Sequence, residues 1–200
     1  MLRWGKVEIT GGFVLLMAWL NYTDSHRLLP LALCAAAAHE LGHCAALGLT
    51  GGRIRCLRLS AVGAELVLER SLSYGRELFC ALAGPAVNVL LAVVSAQSAG
   101  ERSLLFAGIN LALALFNLLP LPPLDGGRAL VCALSLHTEP DRARRLCEWV
   151  GRGTLGVLLL LGGMCVCRGG GITLPLCALW LFCTGRKLTE KRVAKVRGKG

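Results

Sequence analysis

Three stretches of 22 residues, Leu28–Leu49, Leu78–Ala99 and Ser103–Leu124, contain between them a single charged side chain, Glu40. A helix needs roughly 20 apolar residues to cross the hydrocarbon of a bilayer, so each run is long enough to span one. Composition agrees: 54% hydrophobic and 17% charged residues, with a mean hydropathy of +0.60, are more than a soluble 200-residue domain can bury. Three shorter runs, Ile9–Thr23, Gly153–Cys167 and Gly169–Gly185, bring the expected number of spans to about six. Arg3 and Lys6 ahead of the first run imitate a signal sequence, but no small-x-small cleavage pattern comes after Asn21 and Tyr22. That run is therefore expected to stay as a first helix. The expected class is an all-α polytopic membrane protein.

Charge sets the expected topology. If six spans place both termini on one side, 19 of the 22 Lys and Arg residues fall on that side, and only Arg27, Arg102 and Arg168 on the other. The positive-inside rule then puts both termini in the cytosol. The net charge of +10 is thus read as membrane orientation. The Lys/Arg-rich tail at 186–200 has no aromatic residues to stack on bases, so contact with anionic headgroups is expected and nucleic acid is not. Ten cysteines mostly sit in apolar runs with no paired CxxC set, which suits packing.

Residues 61–69 alternate with a period of two, which predicts a short strand in a hairpin with 53–59. Ser25 and Pro30 suit a helix start and Gly51-Gly52 its end. Pro120, Pro122 and Pro123 forbid regular helix after Asn117, so the fourth span is expected to break near Pro120, with Asp125 held in non-helical backbone. Residues 138–150 are expected to form a separate surface helix, capped by Thr138 and Asp141. One domain is expected over 1–185, with its core at 28–130.

The chemistry is concentrated in His39-Glu40-Leu41-Gly42-His43, which fits H-E-x-x-H. Residues i and i+4 share a helix face, so both imidazoles can reach one metal ion, and Glu40 stands about 100° round from them, within reach of a water there. Neutral imidazoles suit zinc better than calcium or magnesium. Burying two His and a Glu within an apolar span without a function would be costly. Catalytic zinc sites usually take three protein ligands. The third-His extension of the motif is missing, since Ala46 stands three residues after His43. His26 and His137 lie in loops; Asp125 is the better candidate, and Glu65, Glu69 or Glu77 would serve a different class of membrane zinc protease. A non-catalytic membrane protein is the remaining alternative.

His39-Glu40-x-x-His43 with Asn117-x-x-Pro-x-Pro-Pro-Leu-Asp125-Gly-Gly downstream resembles the site-2 protease family of intramembrane zinc metalloproteases, over residues 28 to about 130. The six-span plan and a membrane-associated hairpin at 52–69 resemble the branch that contains stage IV sporulation protein FB. The resemblance implies one zinc ion held by His39, His43 and Asp125, with Glu40 as catalytic base. It also implies supporting roles for Asn117 and Asn88. Its substrate would be a membrane protein cleaved in or beside a membrane segment, or, in a sporulating bacterium, an inactive sigma-factor precursor. The expected location is the bacterial cell membrane or the membrane around a forespore, where regulatory membrane partners are expected too. The sporulation branch carries a C-terminal nucleotide-sensing CBS domain. Here about 15 residues come after the last apolar run, so regulation of that kind is not expected, and no inserted PDZ domain is visible.

Overall fold

The computed structural model describes residues 2–4, 7–9, 22, 24, 27–52, 54–60, 63–68, 72–122, 124–169 and 179–181. They fall into two compact units, Met1–Leu115 and Phe116–Gly200. Apart from Ile9, Tyr22, Gly169 and 179–181, the expected spans at 9–23 and 169–185 lie outside the described residues.

In the first unit, β1 (Leu2–Trp4), β2 (Val7–Ile9), β3 (Ile54–Ser60) and β4 (Gly63–Leu68) form a sheet in that order. The pairs β1–β2 and β3–β4 are antiparallel, and β2–β3 is parallel. Leu57 stands opposite Leu66, and Ser60 opposite Gly63 at the turn.

Helix α1 (Leu29–Leu49) is bounded by local chemistry at both ends. The Asp24 carboxylate accepts hydrogen bonds from the backbone N–H groups of Leu28 and Leu29, at 2.8 and 2.7 Å. Pro30 in the first turn removes only an N–H that has no intrahelical acceptor. At the other end Gly51 takes φ +72°, which an L side chain rarely adopts. The Gly52 N–H then donates to the Leu47 carbonyl at 2.8 Å and Gly51 to Gly48 at 3.3 Å, the two bonds of a Schellman stop.

Helix α2 (Tyr74–Ala96) packs on α1. A Cβ on Gly42 would lie 2.9 Å from both the Ala83 carbonyl oxygen and Val87 Cγ2, so the two backbones meet where only glycine fits. Pro85 cannot donate to the Ala81 carbonyl, yet α2 runs through it and buries it. Interior proline costs about 3 kcal/mol in an isolated helix, a cost that packing against neighbours offsets in membrane proteins.

Helix α3 (Glu101–Asn117) ends where the proline segment begins. In the second unit that segment is a chain of tight turns. Leu121 N–H donates to Leu119 at 2.7 Å and Leu124 N–H to Leu121 at 2.9 Å. Leu121 is buried with Leu124 and Leu181, against Phe116, Leu119, Leu155 and Leu158. The break after Asn117 agrees with the proline pattern, but the backbone at Asp125 differs from expectation. Asp125 opens a helix, α4 (Asp125–Ser135), rather than lying in irregular backbone. Gly126-Gly127 reads as a turn in sequence but serves close approach: a Cβ on Gly126 would collide with the Leu118 carbonyl, and one on Gly127 with that of Leu121.

Residues 138–150 and 153–167 are likewise one helix, α5 (Pro140–Cys167), not two segments. Its glycines cost about 1 kcal/mol each in helix propensity, too little to end it without a proline. Gly151 seats against the proline segment, where a Cβ would stand 3.2 Å from the Pro120 carbonyl oxygen. Thr138 does not cap α5. Its hydroxyl donates back to the Leu134 carbonyl at 2.8 Å and closes α4. Among the described residues, α1, α2 and α5 are long and apolar enough to cross a membrane. Leu41, Leu90 and Leu160 stand exposed on them, which suits a lipid solvent.

Candidate metal centre

One turn of α1 separates His39 from His43, and both imidazoles are buried, at 5% and 7% exposure. The rings meet edge to face, their centroids 4.7 Å apart, and the two Nε2 atoms are 3.1 Å apart. His43 Nδ1 lies 2.7 Å from the Cys80 carbonyl oxygen. A carbonyl only accepts, so Nδ1 carries a proton, and in the neutral ring Nε2 presents the lone pair. His39 Nδ1 lies 2.5 Å from Asn88 Oδ1. An ion about 2.0–2.1 Å from each Nε2 would subtend roughly 100° between them, near the tetrahedral angle zinc prefers.

Gly84 supplies the wall of this pocket. A Cβ there would run into His43 Nε2 and would stand 2.8 Å from His39 Nε2. Space at the two Nε2 atoms exists because residue 84 has no side chain. The donor chemistry and this cradle both fit a bound zinc ion.

Glu40 is half-buried on the same helix, one residue after His39. In the second unit, Asp125 is buried at 8% exposure as the first residue of α4, where the N-terminal dipole favours a carboxylate. The Arg128 guanidinium stands 3.8 Å from it, a weak contact with a half-exposed partner. Asn117 is half-buried at the end of α3. Among the other candidates, His137 is exposed, Glu77 sits in the first turn of α2, and Glu65 in β4. His26 and Glu69 lie outside the described residues.

The first unit thus brings His39 and His43 together and adds Asn88. Two contributors are not legible in the sequence. Gly84 carries no signal beside the proline of Ala83-Gly84-Pro85, and Asn110, whose Oδ1 accepts from Asn88 Nδ2 at 2.7 Å, is a lone amide in an apolar run without a motif.

Membrane-length helices with a His-pair metal cradle inside one of them define the class: a membrane protein built to hold a metal within its helices. A family model described as Peptidase family M50 matches residues 95–161. Over these residues the chain is similar to that family. A Synechocystis sp. protein whose name places it among zinc metalloproteases is 29% identical over 178 residues, 84% of this chain and 46% of its own. Stage IV sporulation protein FB of Bacillus subtilis is 29% identical over 143 residues, 67% of this chain and 50% of its own. The chain therefore spans about half the length of these curated relatives. The site-2 protease structure from Methanocaldococcus jannaschii shares the fold, with a TM-score of 0.66 at 22% identity, over 94% of this chain and 93% of that one.

Proposed function

We propose that the chain is an intramembrane zinc metallopeptidase in which His39, His43 and Asp125 hold one zinc ion and Glu40 is the general base. The observation that carries this reading is the buried imidazole pair of α1, its Nε2 atoms 3.1 Å apart in the space that Gly84 leaves open. The names of the relatives support it.

Bound there, zinc supplies Lewis acidity, polarising a carbonyl and acidifying water. The Glu40 carboxylate accepts the proton of the attacking water and passes it to the departing amine nitrogen. The Asn88 and Cys80 oxygens accept from the two Nδ1 atoms and hold the rings in place. The Asn117 amide donates to the scissile oxygen as negative charge grows on it. A helical substrate hides its carbonyls, so the cleaved stretch must be extended. Strand β4, at an edge of its sheet, offers it a pairing partner.

The finer placement belongs to the same proposal. Six spans carry the chain, the β3–β4 hairpin lies at the membrane, and both termini face the cytosol of a bacterium. The substrate is a membrane protein or a membrane-associated one. Similarity to a sporulation protein supports a sigma-factor precursor and a forespore-surrounding membrane, with regulatory membrane partners.

Co-expression with candidate precursors tests the activity. Wild type should cut one of them, and Glu40→Gln should abolish cutting while keeping its zinc. Cleavage near the wild-type rate in Glu40→Gln would remove Glu40 from the mechanism.

A further inference from the structure

Asn88 and Asn110 are fully buried, at 0% exposure, in helices that are otherwise apolar there. Their amides form one directed chain. At its far end Asn110 Nδ2 lies 2.9 Å from the Phe106 carbonyl oxygen. A carbonyl can only accept, so this end of the Asn110 amide must be its NH2 and Oδ1 must point the other way. That Oδ1 lies 2.7 Å from Asn88 Nδ2, which also reaches the Ala35 carbonyl oxygen at 3.1 Å. Both neighbours of that atom are acceptors, so it too must be the NH2. Asn88 Oδ1 is then left facing His39 Nδ1. An oxygen there requires a proton on Nδ1, so in the neutral ring it is Nε2, 3.1 Å from His43 Nε2, that carries the lone pair.

From this chain we infer that Asn110, acting through Asn88, is a positioning residue that fixes the tautomer of His39. Free imidazole in water populates both neutral tautomers. Here two backbone carbonyls, of Phe106 and Ala35, set the polarity of every link. His43 gets the same result in one step from the Cys80 carbonyl. His39 faces a side chain that could turn over, and Asn110 removes that freedom: a flipped Asn88 would set its oxygen against Asn110 Oδ1 and the Ala35 carbonyl. With both rings neutral, the arrangement aims the two Nε2 lone pairs at one point. Partners of this kind typically change metal affinity by about 10–100-fold.

The inference rests on His39 being a ligand, but its first test needs no metal. The chain has four histidines, so 15N-imidazole spectra of the zinc-stripped full chain in detergent can be assigned with single His→Gln variants. In its neutral form His39 should show a protonated Nδ1 and a bare Nε2. A neutral ring with its proton on Nε2 and none on Nδ1 would overturn the inference, and would leave zinc binding by the His pair to be judged separately. Asn110→Leu should let the second tautomer appear and weaken zinc binding about tenfold. Asn110→Asp, whose neutral carboxyl offers the same donor and acceptor, should restore affinity to within about threefold. If Asn110 is only glue between helices, Asn110→Leu will lower thermal stability while tautomer and zinc affinity stay unchanged, and the inference fails. Should Asn110→Leu not fold, an Asn110→Asp variant with the Nε2-protonated tautomer would refute it equally.

Discussion

Replacing Gly84 by alanine asks whether the space beside the two imidazoles is for a metal. The added methyl would meet His43 Nε2 head on, with His43 Cε1 at 2.7 Å and His39 Nε2 at 2.8 Å, all inside the 3.0 Å that real Cβ contacts respect. Something must move by several tenths of an ångström, and the candidates are the imidazoles or the α1–α2 spacing. Alanine gains about 1 kcal/mol over glycine in helix propensity. Overpacking costs about 1–3 kcal/mol, so the metal-free fold should lose no more than about 2 kcal/mol. Zinc affinity should fall much further, by about 100-fold or more, because displacement of a ligand atom by about 0.5 Å already spoils a site of fixed geometry. Zinc competition against a chromogenic chelator measures the second effect, and thermal unfolding of the stripped protein the first. Wild-type affinity in a folded Gly84→Ala variant would refute the reasoning that the cradle exists for the ion.

Three other sites have measurable outcomes. Asp24→Ala removes the acceptor for two N–H groups at the start of α1, and should cost about 1–2 kcal/mol in thermal unfolding without changing zinc content. Gly127→Ala drives a Cβ into the Leu121 carbonyl and to 2.9 Å from Pro122 N, and should cost about 1–3 kcal/mol. Limited proteolysis should then open the segment between Asn117 and Asp125. Asn117→Ala should slow cleavage by about 100-fold or more if its amide steadies the oxyanion, with zinc retained, as single-turnover assays would show.

Much of this architecture could be read from spacing because two rules dominate it. Lipid admits little backbone whose N–H and C=O groups lack partners, so the apolar runs mark α1, α2 and the start of α3 to within a few residues. A 3.6-residue turn puts His39 and His43 on one face whatever packs against them. The misses arise where tertiary contact overrides a local cue. Gly126-Gly127 looks like a turn, yet both glycines are there because carbonyls of the proline segment touch them. Thr138 looks like a helix cap, yet its hydroxyl finds the previous helix's carbonyl first. Pro140 begins α5 and no later proline interrupts it, so the helix passes Gly151 and Gly153 unbroken. Asn110 matters through a partner 22 residues away in α2, a relation no local pattern contains.

One zinc ion with Asp125 as its carboxylate ligand is the central requirement of the proposed mechanism. Elemental analysis of the purified full chain, set beside Asp125→Ala, measures both at once. Wild type should carry one zinc per chain and the variant markedly less, with the helix content of the two unchanged. Equal zinc in both proteins would take Asp125 out of the site, and a wild type that binds no zinc even when supplied with it would contradict the account altogether.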